Sequence, residues 1–402
     1  MAKARMRDTT RSSVAPLPWH DAPARWGNPL HSLCSYMAMF PPSMPHVFIR
    51  WLTQEGDVVL DPFSGRGTTA LEACLLGREG HGSDLNPLAV ILTSSKVDPP
   101  SWSDLSARFS DLRRSVRSLR VKDQPEHLRV MFTDKTLGQL LWLRRELDPD
   151  DRTDRFILAT TAGILHLNAR RDGTPRGLSV AMPNTFSMSP RYVVRYVRKH
   201  RLQAPLVDVV PAVETRIERL RPFLALPVRG KAWREDVLNS GRVSRRKADL
   251  IFASPPYLHV MKYGKFNWLR LWLLGEDPRQ VDESLLATSS VHRYLEFMRM
   301  ALERLAKRLS ADGYCCLVVG DVESRGDEGP IRLAEEVAES CVRGSGLQTI
   351  RILVDPLLAD QKVSRIWGAT RGRATKTDRI LVLGGPEAEG LPAPPVVDWA
   401  AA

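Results

Sequence analysis

Two stretches of this sequence combine residue types that can bind and position a ligand. The first, DVVLDPFSGRGTTALEA at 57–73, runs from an apolar β-type segment through a glycine turn into a helix-forming segment. A strand, loop and helix in this order is typical of nucleotide-type cofactor sites. The second, ADLIFASPPY at 248–257, is an apolar strand segment that ends in a Ser-Pro-Pro-Tyr turn. We predict that the two turns meet at one ligand site.

The glycine turn predicts a cofactor site. Gly65 and Gly67 let the backbone approach a ligand closely, and the helix that follows presents unpaired amides, which suit a carboxylate or a phosphate. The stretch lacks the Gly-Lys-Ser/Thr ending of a P-loop, which argues against a nucleoside triphosphate. Asp84 follows Asp61 by 23 residues, close to the ~20 expected for a carboxylate that binds ribose hydroxyls. A nicotinamide-dependent oxidoreductase would use the same features, so the loop alone leaves the class of enzyme open.

The Ser-Pro-Pro-Tyr turn narrows the choice. Its two prolines fix the backbone and remove two amide donors, so the Pro255 carbonyl is expected to project outward. Together with the Ser254 hydroxyl, this carbonyl can accept both hydrogens of an exocyclic amine. Tyr257 offers a flat face on which an extruded base can stack. The alternative is an ordinary turn with Tyr257 in the core, and the matching glycine turn favours the functional interpretation.

Composition favours a polyanionic partner. The 402 residues include 58 Lys and Arg against 46 Asp and Glu, a net charge of +12. No apolar run is long enough for a membrane span, so no membrane association is predicted. None of the five cysteines lies in a Cys-x-x-Cys pair, which predicts neither a metal site nor disulfides and fits a reducing cytoplasm.

The chain divides by pattern into a central α/β region and less regular parts. Residues 1–28 and 385–402 are predicted to be disordered tails, and strands alternate with helices in 29–100 and 229–384. The second α/β part ends in two strand segments that resemble an antiparallel pair. The intervening 101–228 is mostly helical in pattern and carries 23 Lys and Arg against 14 Asp and Glu, so most of the excess positive charge lies in this insertion.

One helix of the insertion concentrates this charge. In SPRYVVRYVRKHRL, at 189–202, Pro190 begins a helix on which Arg191, Arg195 and Arg198 lie along one stripe. Such a stripe can follow a phosphate backbone. An ordinary solvated helix face is the equally weighted alternative.

With these residues in view, the sequence resembles the S-adenosylmethionine-dependent DNA amino-methyltransferases of the cytosine-N4/adenine-N6 family. DPFSGRGTT matches the family's Asp-Pro-Phe-x-Gly-x-Gly-Thr cofactor motif, and SPPY matches its Asp/Asn/Ser-Pro-Pro-Tyr catalytic motif. HSLCSYMAMFPP resembles the segment that flanks the cofactor, although Met39 stands where a basic residue is often found. SRIWGATRGRATKTDRILVL resembles a late conserved region. The order of cofactor motif, insertion and catalytic motif resembles the arrangement in which the insertion recognises the target sequence.

This resemblance implies a Rossmann-like methyltransferase of the α/β class, with a mostly parallel twisted sheet, helices on both faces and a helical insertion. It implies S-adenosyl-L-methionine as the cofactor. The expected catalytic residues are Ser254, Pro255, Pro256 and Tyr257. The expected cofactor-binding residues are Asp61, Pro62, Phe63, Ser64, Gly65, Gly67, Thr68, Thr69, Asp84 and Asp236. The resemblance implies that the stretch 61–69 surrounds the methionine part of the cofactor and that Asp84 lies at its ribose. Asp236 ends a short strand, where it can meet the adenine amino group.

Serine at the first position of the catalytic motif most often accompanies cytosine-N4 specificity in this family. We therefore predict a site-specific methyltransferase that modifies the exocyclic amine of a flipped cytosine in double-stranded DNA. Direct transfer needs no protein nucleophile, and none of the five cysteines follows a proline, as the nucleophile of a carbon-5 enzyme typically does. The alternatives are an adenine-N6 DNA enzyme, an RNA amino-methyltransferase, a nicotinamide oxidoreductase and a non-catalytic DNA-binding module. A cognate restriction endonuclease is a candidate partner, and the sequence leaves the oligomeric state open.

Overall fold

The strands form one sheet in the described part of the protein. The structure is a computed structural model, and it describes residues 17–23, 26–37, 40–170, 172–182, 188–239, 246–256, 258, 262–286, 288–322, 330–356 and 377–400. The strands are β1 (Val58–Asp61), β2 (Glu79–Asp84), β3 (Lys231–Arg234), β4 (Ala248–Ala253), β5 (Leu309–Gly320), β6 (Gln348–Pro356) and β7 (Thr377–Gly384). Their order across the sheet is β3-β2-β1-β4-β5-β7-β6.

Most of this sheet is parallel. β1 pairs in parallel with both β2 and β4, and β3 and β5 extend the parallel part on either side. β7 runs antiparallel to β5 and to β6, which confirms the antiparallel pair expected near the end of the α/β region. The α/β class with a mostly parallel sheet is confirmed.

Helices account for most of the remaining regular structure. They are α1 (Ser43–Leu52), α2 (Thr68–Leu75), α3 (Pro87–Val97), α4 (Trp102–Ser115), α5 (Glu126–Arg129), α6 (Asp134–Glu146), α7 (Arg152–Ile164), α8 (Pro190–His200), α9 (Val209–Glu218), α10 (Tyr263–Phe266), α11 (Trp268–Leu274), α12 (Pro278–Ser284), α13 (Val291–Arg308) and α14 (Leu333–Cys341). Where the structure describes the chain, none of them has the length and apolar composition needed to cross a membrane.

Both faces of the sheet are buried, which is why its central strands are apolar along their whole length. Val59 of β1 and Phe252 of β4 pack with Phe48 of α1 on one face. On the other face, Leu60 and Ile251 belong to a core that includes α13 and α14. Alternate residues of the same strands therefore hold helices on opposite sides.

The basic insertion continues the helical layer of the α/β region. Leu92 of α3 and Leu271 of α11 lie in one hydrophobic core with Phe109, Leu140 and Phe156, which come from α4, α6 and α7. The side chains of the insertion are thus buried against both flanking parts of the chain. The predicted boundaries at 101 and 228 remain a prediction.

The N-terminal segment differs from the expected tail in its described part. Residues 1–16 lie outside the described residues. Trp19 is buried, and its indole Nε1 donates a hydrogen bond of 2.9 Å to Asp355 at the end of β6. The same carboxylate lies 2.7 Å from Nε2 of His20. A large apolar ring and a buried carboxylate thus fix the chain well before residue 28.

The C-terminal segment also differs from the expected tail up to residue 400. Trp399 is partly buried, with its ring centroid 4.8 Å from that of Trp26 and 5.7 Å from that of His46. Its Nε1 donates a hydrogen bond of 3.2 Å to the Pro18 carbonyl. Leu391 and Val397 pack against the same core as Trp399, and the Pro392 carbonyl accepts a hydrogen bond of 3.2 Å from Trp51, so several contacts hold this segment.

We expect Trp399→Ala to lower the free energy of unfolding by about 1–3 kcal/mol, because it removes a half-buried aromatic side chain and its hydrogen bond. Urea unfolding followed by far-UV circular dichroism measures this. Val396→Ala is the matched control, since Val396 is 95% exposed in the same segment. Equal stability of the two variants would show that the segment does not contribute to the fold.

Candidate active site

The two motifs leave the same edge of the sheet from neighbouring strands. In the parallel pair of β1 and β4, Val59 is opposite Leu250 and Leu60 is opposite Ile251. Asp61 and Ser254 therefore follow the carboxyl ends of adjacent strands. β1 is also the point at which the strand order reverses direction, and ligands of open α/β sheets bind at such a switch point.

The glycine turn is held by close backbone contacts. Gly65 and Gly67 have φ angles of 49° and 76°, in the left-handed region that favours glycine. A Cβ on Gly67 would lie 2.9 Å from Cα of Thr93 in α3, so a larger residue cannot fit. α2 begins directly after this glycine, and its N-terminus faces the turn. The local geometry explains both glycines of the motif.

Asp84 holds the turn from β2. Its carboxylate accepts a hydrogen bond of 2.9 Å from the Gly65 amide and another of 2.9 Å from the Asn86 amide. Burial raises the pKa of this carboxyl to about 6, and the amide hydrogen bonds oppose the shift. Each oxygen keeps a lone pair that can accept from a ligand. The predicted ribose role of Asp84 is compatible with this geometry and remains a prediction.

Asp61 is almost fully buried at the end of β1. The residue is 2% exposed, and burial raises the pKa of its carboxyl to about 7 while a hydrogen bond from the Phe63 amide opposes the shift. An ionised carboxylate in this position is destabilised until a positive charge or further hydrogen-bond donors come near it. The site thus favours a cationic, donor-rich ligand.

The two turns open on one cavity, which contains most of the predicted site residues. Its predicted lining residues are Asp61, Pro62, Phe63, Ser64, Gly65, Thr68, Asp84, Asp236, Ser254, Pro255 and Pro256. Gly67 and Thr69 are buried and are not among the lining residues. Tyr257 lies outside the described residues. The structure therefore brings together eleven of the fourteen residues expected for cofactor binding and catalysis.

Several lining residues were missed from the sequence. Tyr36 and Phe40 lie in the segment HSLCSYMAMFPP, which signalled the cofactor region without indicating which residues face it. The Tyr36 hydroxyl accepts a hydrogen bond of 2.8 Å from Asn86 Nδ2, and its ring stacks on Tyr263 with centroids 5.9 Å apart. Arg66 also lines the cavity; it belongs to the predicted cofactor stretch 61–69, but the motif predicts no role for its side chain. The other missed lining residues are Leu85, Asn86, Glu235, Val237, Tyr263, Leu285, Leu286 and Phe297.

The basic helix α8 is exposed on the predicted stripe. Val193 and Val197 are buried, whereas Arg191, Arg195 and Arg198 are exposed. The Arg195 guanidinium lies over the Tyr192 ring, 5.5 Å from its centroid, and Arg198 pairs with Glu126.

The start of α8 is linked to the cavity side of the sheet. Just before α8, the Met188 carbonyl accepts a hydrogen bond of 2.6 Å from Trp268 at the start of α11. Tyr263, which lines the cavity, belongs to α10 directly before α11. The exposed arginines of α8 are thus connected, through Trp268 and the neighbouring α10, to a residue that lines the cavity.

The fold and this site define a Rossmann-like α/β protein with a cofactor cavity at the switch point of its sheet. Comparison with known proteins identifies the class more closely. Residues 18–93 match a family model described as DNA methylase, for N6 and N4 methyltransferases. The matched region includes β1, the glycine turn and Asp84.

Two curated relatives support the same family. The type II methyltransferase M.MvaI of Kocuria varians is 27% identical over 283 residues, which are 64% of this chain and 61% of that protein. M.BglI of Bacillus subtilis, also a type II methyltransferase, is 41% identical over 61 residues, 15% of this chain and 18% of that protein. The chain thus spans less than two thirds of the length of these relatives.

Solved structures of methyltransferases are similar to this chain only at low sequence identity and low TM-score. The rRNA methyltransferase AviRa from Streptomyces viridochromogenes is 13% identical with a TM-score of 0.34, covering 88% of this chain and 89% of that chain. TrmN from Thermus thermophilus is 12% identical with a TM-score of 0.33, covering 89% and 52%. The fold assignment therefore rests on the strand order.

The predicted resemblance to the DNA amino-methyltransferases of the N4/N6 family is confirmed. The family model covers the glycine-turn motif, and the assignment of the Ser-Pro-Pro-Tyr motif stays a prediction. S-adenosylmethionine, the predicted cofactor, is confirmed at the level of this family. The cavity fits it chemically, because the cofactor carries a sulfonium, an ammonium and hydroxyl donors. Opposite these, the lining offers the carboxyl groups of Asp61, Asp84, Glu235 and Asp236 and the apolar side chains of Phe63, Val237, Leu286 and Phe297.

We expect Asp61→Asn to stabilise the ligand-free protein at pH 8, on the order of 2 kcal/mol, and to have little effect at pH 4. The folded carboxyl keeps its proton up to about 7, whereas an unfolded one loses it near 3.8. The folded state therefore binds more protons in this window, and stability falls as the pH rises through it. Asparagine avoids that loss.

Urea unfolding at pH 4 and pH 8 provides the measurement. Asp312→Asn, which alters an exposed carboxylate on β5, is the control and should follow the wild type at both pH values. If Asp61→Asn destabilises the protein equally at pH 4 and pH 8, burial does not hold the Asp61 proton.

Proposed function

We propose that this protein methylates the N4 amino group of a flipped cytosine in double-stranded DNA, with S-adenosylmethionine as the methyl donor. The observation that carries the proposal is that the glycine turn after β1 and the Ser254-Pro255-Pro256 corner after β4 line one cavity. A methyl donor held by the first turn and an amine held by the second would lie next to each other, and direct transfer depends on such positioning.

The glycine turn and the strand ends around it are suited to hold the cofactor. When bound, S-adenosylmethionine supplies a methyl group on a positively charged sulfur, which leaves readily toward a nucleophilic amine. Asp61 and Asp84 place negative charge in the cavity at the ends of β1 and β2. Asp236 accepts a hydrogen bond of 3.0 Å from the Leu238 amide, and this contact keeps its carboxylate beside Val237 on the cavity wall. We propose that Asp236 binds the adenine amino group, as the sequence predicted.

The proline corner is suited to hold the target amine. The Ser254 hydroxyl lies 3.3 Å from the Val318 carbonyl, to which it donates. A hydroxyl that donates in this way still accepts through its oxygen. We propose that this oxygen and the Pro255 carbonyl accept the two amine hydrogens, which turns the nitrogen lone pair toward the methyl group. After transfer, the methylated amine loses its extra proton. Stacking of the base on Tyr257 remains a prediction from the sequence.

Two points favour cytosine N4 and a DNA substrate. The catalytic motif begins with Ser254, and in the family that this chain resembles serine most often accompanies cytosine-N4 specificity. The relatives M.MvaI and M.BglI are type II methyltransferases, which favours a DNA-modifying role beside a restriction endonuclease in the cytoplasm. Adenine N6 is the second candidate, because the matching family model covers both kinds of enzyme.

Helix α8 is the proposed contact with the DNA backbone. Within its residues Pro190–His200 it carries no acidic side chain, and Arg191 and Arg195 are exposed beside Tyr192. Exposed guanidinium groups bind phosphates, and such contacts supply affinity without reading sequence. Arg198 already pairs with Glu126, so we expect it to contribute less than Arg195.

We expect incubation with DNA and isotope-labelled S-adenosylmethionine to yield N4-methylcytosine, detected by mass spectrometry of the nucleosides. Ser254→Ala should lower kcat/KM about 10²- to 10³-fold, because a partly buried hydrogen-bond partner proposed for the reacting amine is lost. Binding of S-adenosylhomocysteine should stay within about twofold, since Ser254 belongs to the amine side of the cavity.

The control for this variant is Ser115→Ala, at the exposed end of α4, which should keep full activity. N6-methyladenine as the product would replace the N4 assignment with the second candidate. Full activity of Ser254→Ala would remove the proposed role of the proline corner.

We expect Arg195→Gln to weaken DNA binding equally on all sequences and to reduce the slope of log K against log salt concentration by about 1. Arg198→Gln should change the slope less because of its pairing with Glu126. Fluorescence anisotropy over a salt series measures both. Arg343→Gln, an exposed arginine after α14, is the control, and an equal change for Arg343 and Arg195 would remove α8 from the DNA interface.

A further inference from the structure

Acidic side chains outnumber basic ones around the cavity, and this distribution fits the charges of S-adenosylmethionine. Among the described lining residues, Asp61, Asp84, Glu235 and Asp236 are acidic, and Arg66 is the single basic residue. S-adenosylmethionine carries two positive groups, the sulfonium and the ammonium, and one negative group, the carboxylate. Glu235 is already paired with Arg308 at 2.8 Å. Asp61, Asp84 and Asp236 suit the cationic and hydroxyl parts of the ligand, which leaves its carboxylate in need of a positive partner.

Arg66 has no acidic partner among the described contacts of the glycine turn. Its Nε donates a hydrogen bond of 3.1 Å to the Thr68 hydroxyl, and its Nη1 donates one of 3.2 Å to the His31 carbonyl. Both acceptors are neutral. Burial lowers the pKa of this guanidinium to about 10, so it stays charged at neutral pH while lacking the solvation of an exposed arginine. A partly buried charge that lacks an acidic partner gains from an added anion.

Lys96 and the N-terminus of α2 lie on either side of Arg66. Nζ of Lys96 is fully buried in α3 and donates a hydrogen bond of 2.6 Å to the Arg66 carbonyl. Burial lowers the pKa of Lys96 well below its ordinary value, and the Arg66 charge adds to the effect. On the other side of Arg66, α2 begins at Thr68 with the positive end of its dipole facing the turn. Because its lowered pKa makes Lys96 resist protonation, the positive potential on this side of the cavity comes from Arg66 and from the N-terminus of α2.

We propose that Arg66 binds the carboxylate of the methionine part of S-adenosylmethionine, an inference that rests on the proposed function. The guanidinium fork is pre-positioned by Thr68 and His31, and a planar carboxylate is the group that such a fork binds with two hydrogen bonds. Arg66 is then a specificity-determining residue. It favours cofactors and products that keep the amino-acid carboxylate over nucleosides that lack it.

The test compares two ligands that differ in the amino-acid part. S-adenosylhomocysteine contains the carboxylate, and 5′-methylthioadenosine keeps the adenosine and the sulfur without it. Isothermal titration of the full chain with each ligand gives two affinities. Arg66→Gln is expected to weaken S-adenosylhomocysteine about 10- to 100-fold, the effect of one lost charge-assisted interaction, and to leave 5′-methylthioadenosine within about twofold.

Arg66→Lys and Arg343→Gln complete the design. Lysine keeps the charge and loses the fork, so its S-adenosylhomocysteine affinity should lie between those of the wild type and Arg66→Gln. It also provides the measurement if the glutamine variant does not fold. Arg343→Gln removes an exposed arginine far along the chain and should bind both ligands as the wild type does.

The outcomes separate this inference from the proposed function. If the wild type binds neither ligand, the proposed function fails and the inference fails with it. If the wild type binds S-adenosylhomocysteine and the Arg66 variants lose both ligands equally, Arg66 only shapes the turn and the inference is overturned. The same conclusion follows if the variants keep the wild-type ratio of the two affinities. A selective loss of S-adenosylhomocysteine supports it.

Discussion

The parallel pairing of β1 with β4 is the constraint on which the site depends. Because these strands are neighbours and run in the same direction, the chain turns after Asp61 and after Ser254 at the same edge of the sheet. Between them the chain makes the long excursion of the insertion and returns in register. Two turns that are almost two hundred residues apart in the sequence thereby face one cavity, and a shift of β4 to another position in the sheet would separate them.

The ionisable side chains at the carboxyl edge of the sheet destabilise the protein when no ligand is bound. Burial raises the pKa values of Asp61 and Asp84 to about 7 and about 6, so both acids resist ionisation without a ligand. On the other side of the glycine turn, the partly buried Arg66 and the buried Lys96 are basic groups whose described hydrogen bonds go to neutral acceptors. A ligand with separated positive and negative groups relieves both sides. The buried acids and bases of the site therefore lower the stability of the ligand-free protein and raise its affinity for a ligand that carries both charges.

Parts of the chain outside the sheet complete this arrangement. The N-terminal segment is fixed through Trp19 and supplies Tyr36, which is hydrogen bonded to Asn86 and stacked on Tyr263. That contact joins the segment after the proline corner to the cofactor side of the cavity. The insertion shares its core with α3 and α11, so α8 is attached to the same packed layer. Cofactor cavity and basic surface are thus held by continuous packing.

The sequence by itself determined the local elements and the two motifs, since apolar strands, glycines with left-handed φ angles and a proline corner are dictated by local chemistry. It also predicted the family, the antiparallel strand pair and half of the residues that line the cavity. Only the tertiary structure showed which side chains from distant segments contact one another. Tyr36 and Tyr263 carry no local signal of their role, and the packing of Trp19 and Trp399 depends on partners far away in the sequence. Burial and charge environment arise when distant segments meet, and no local pattern encodes them.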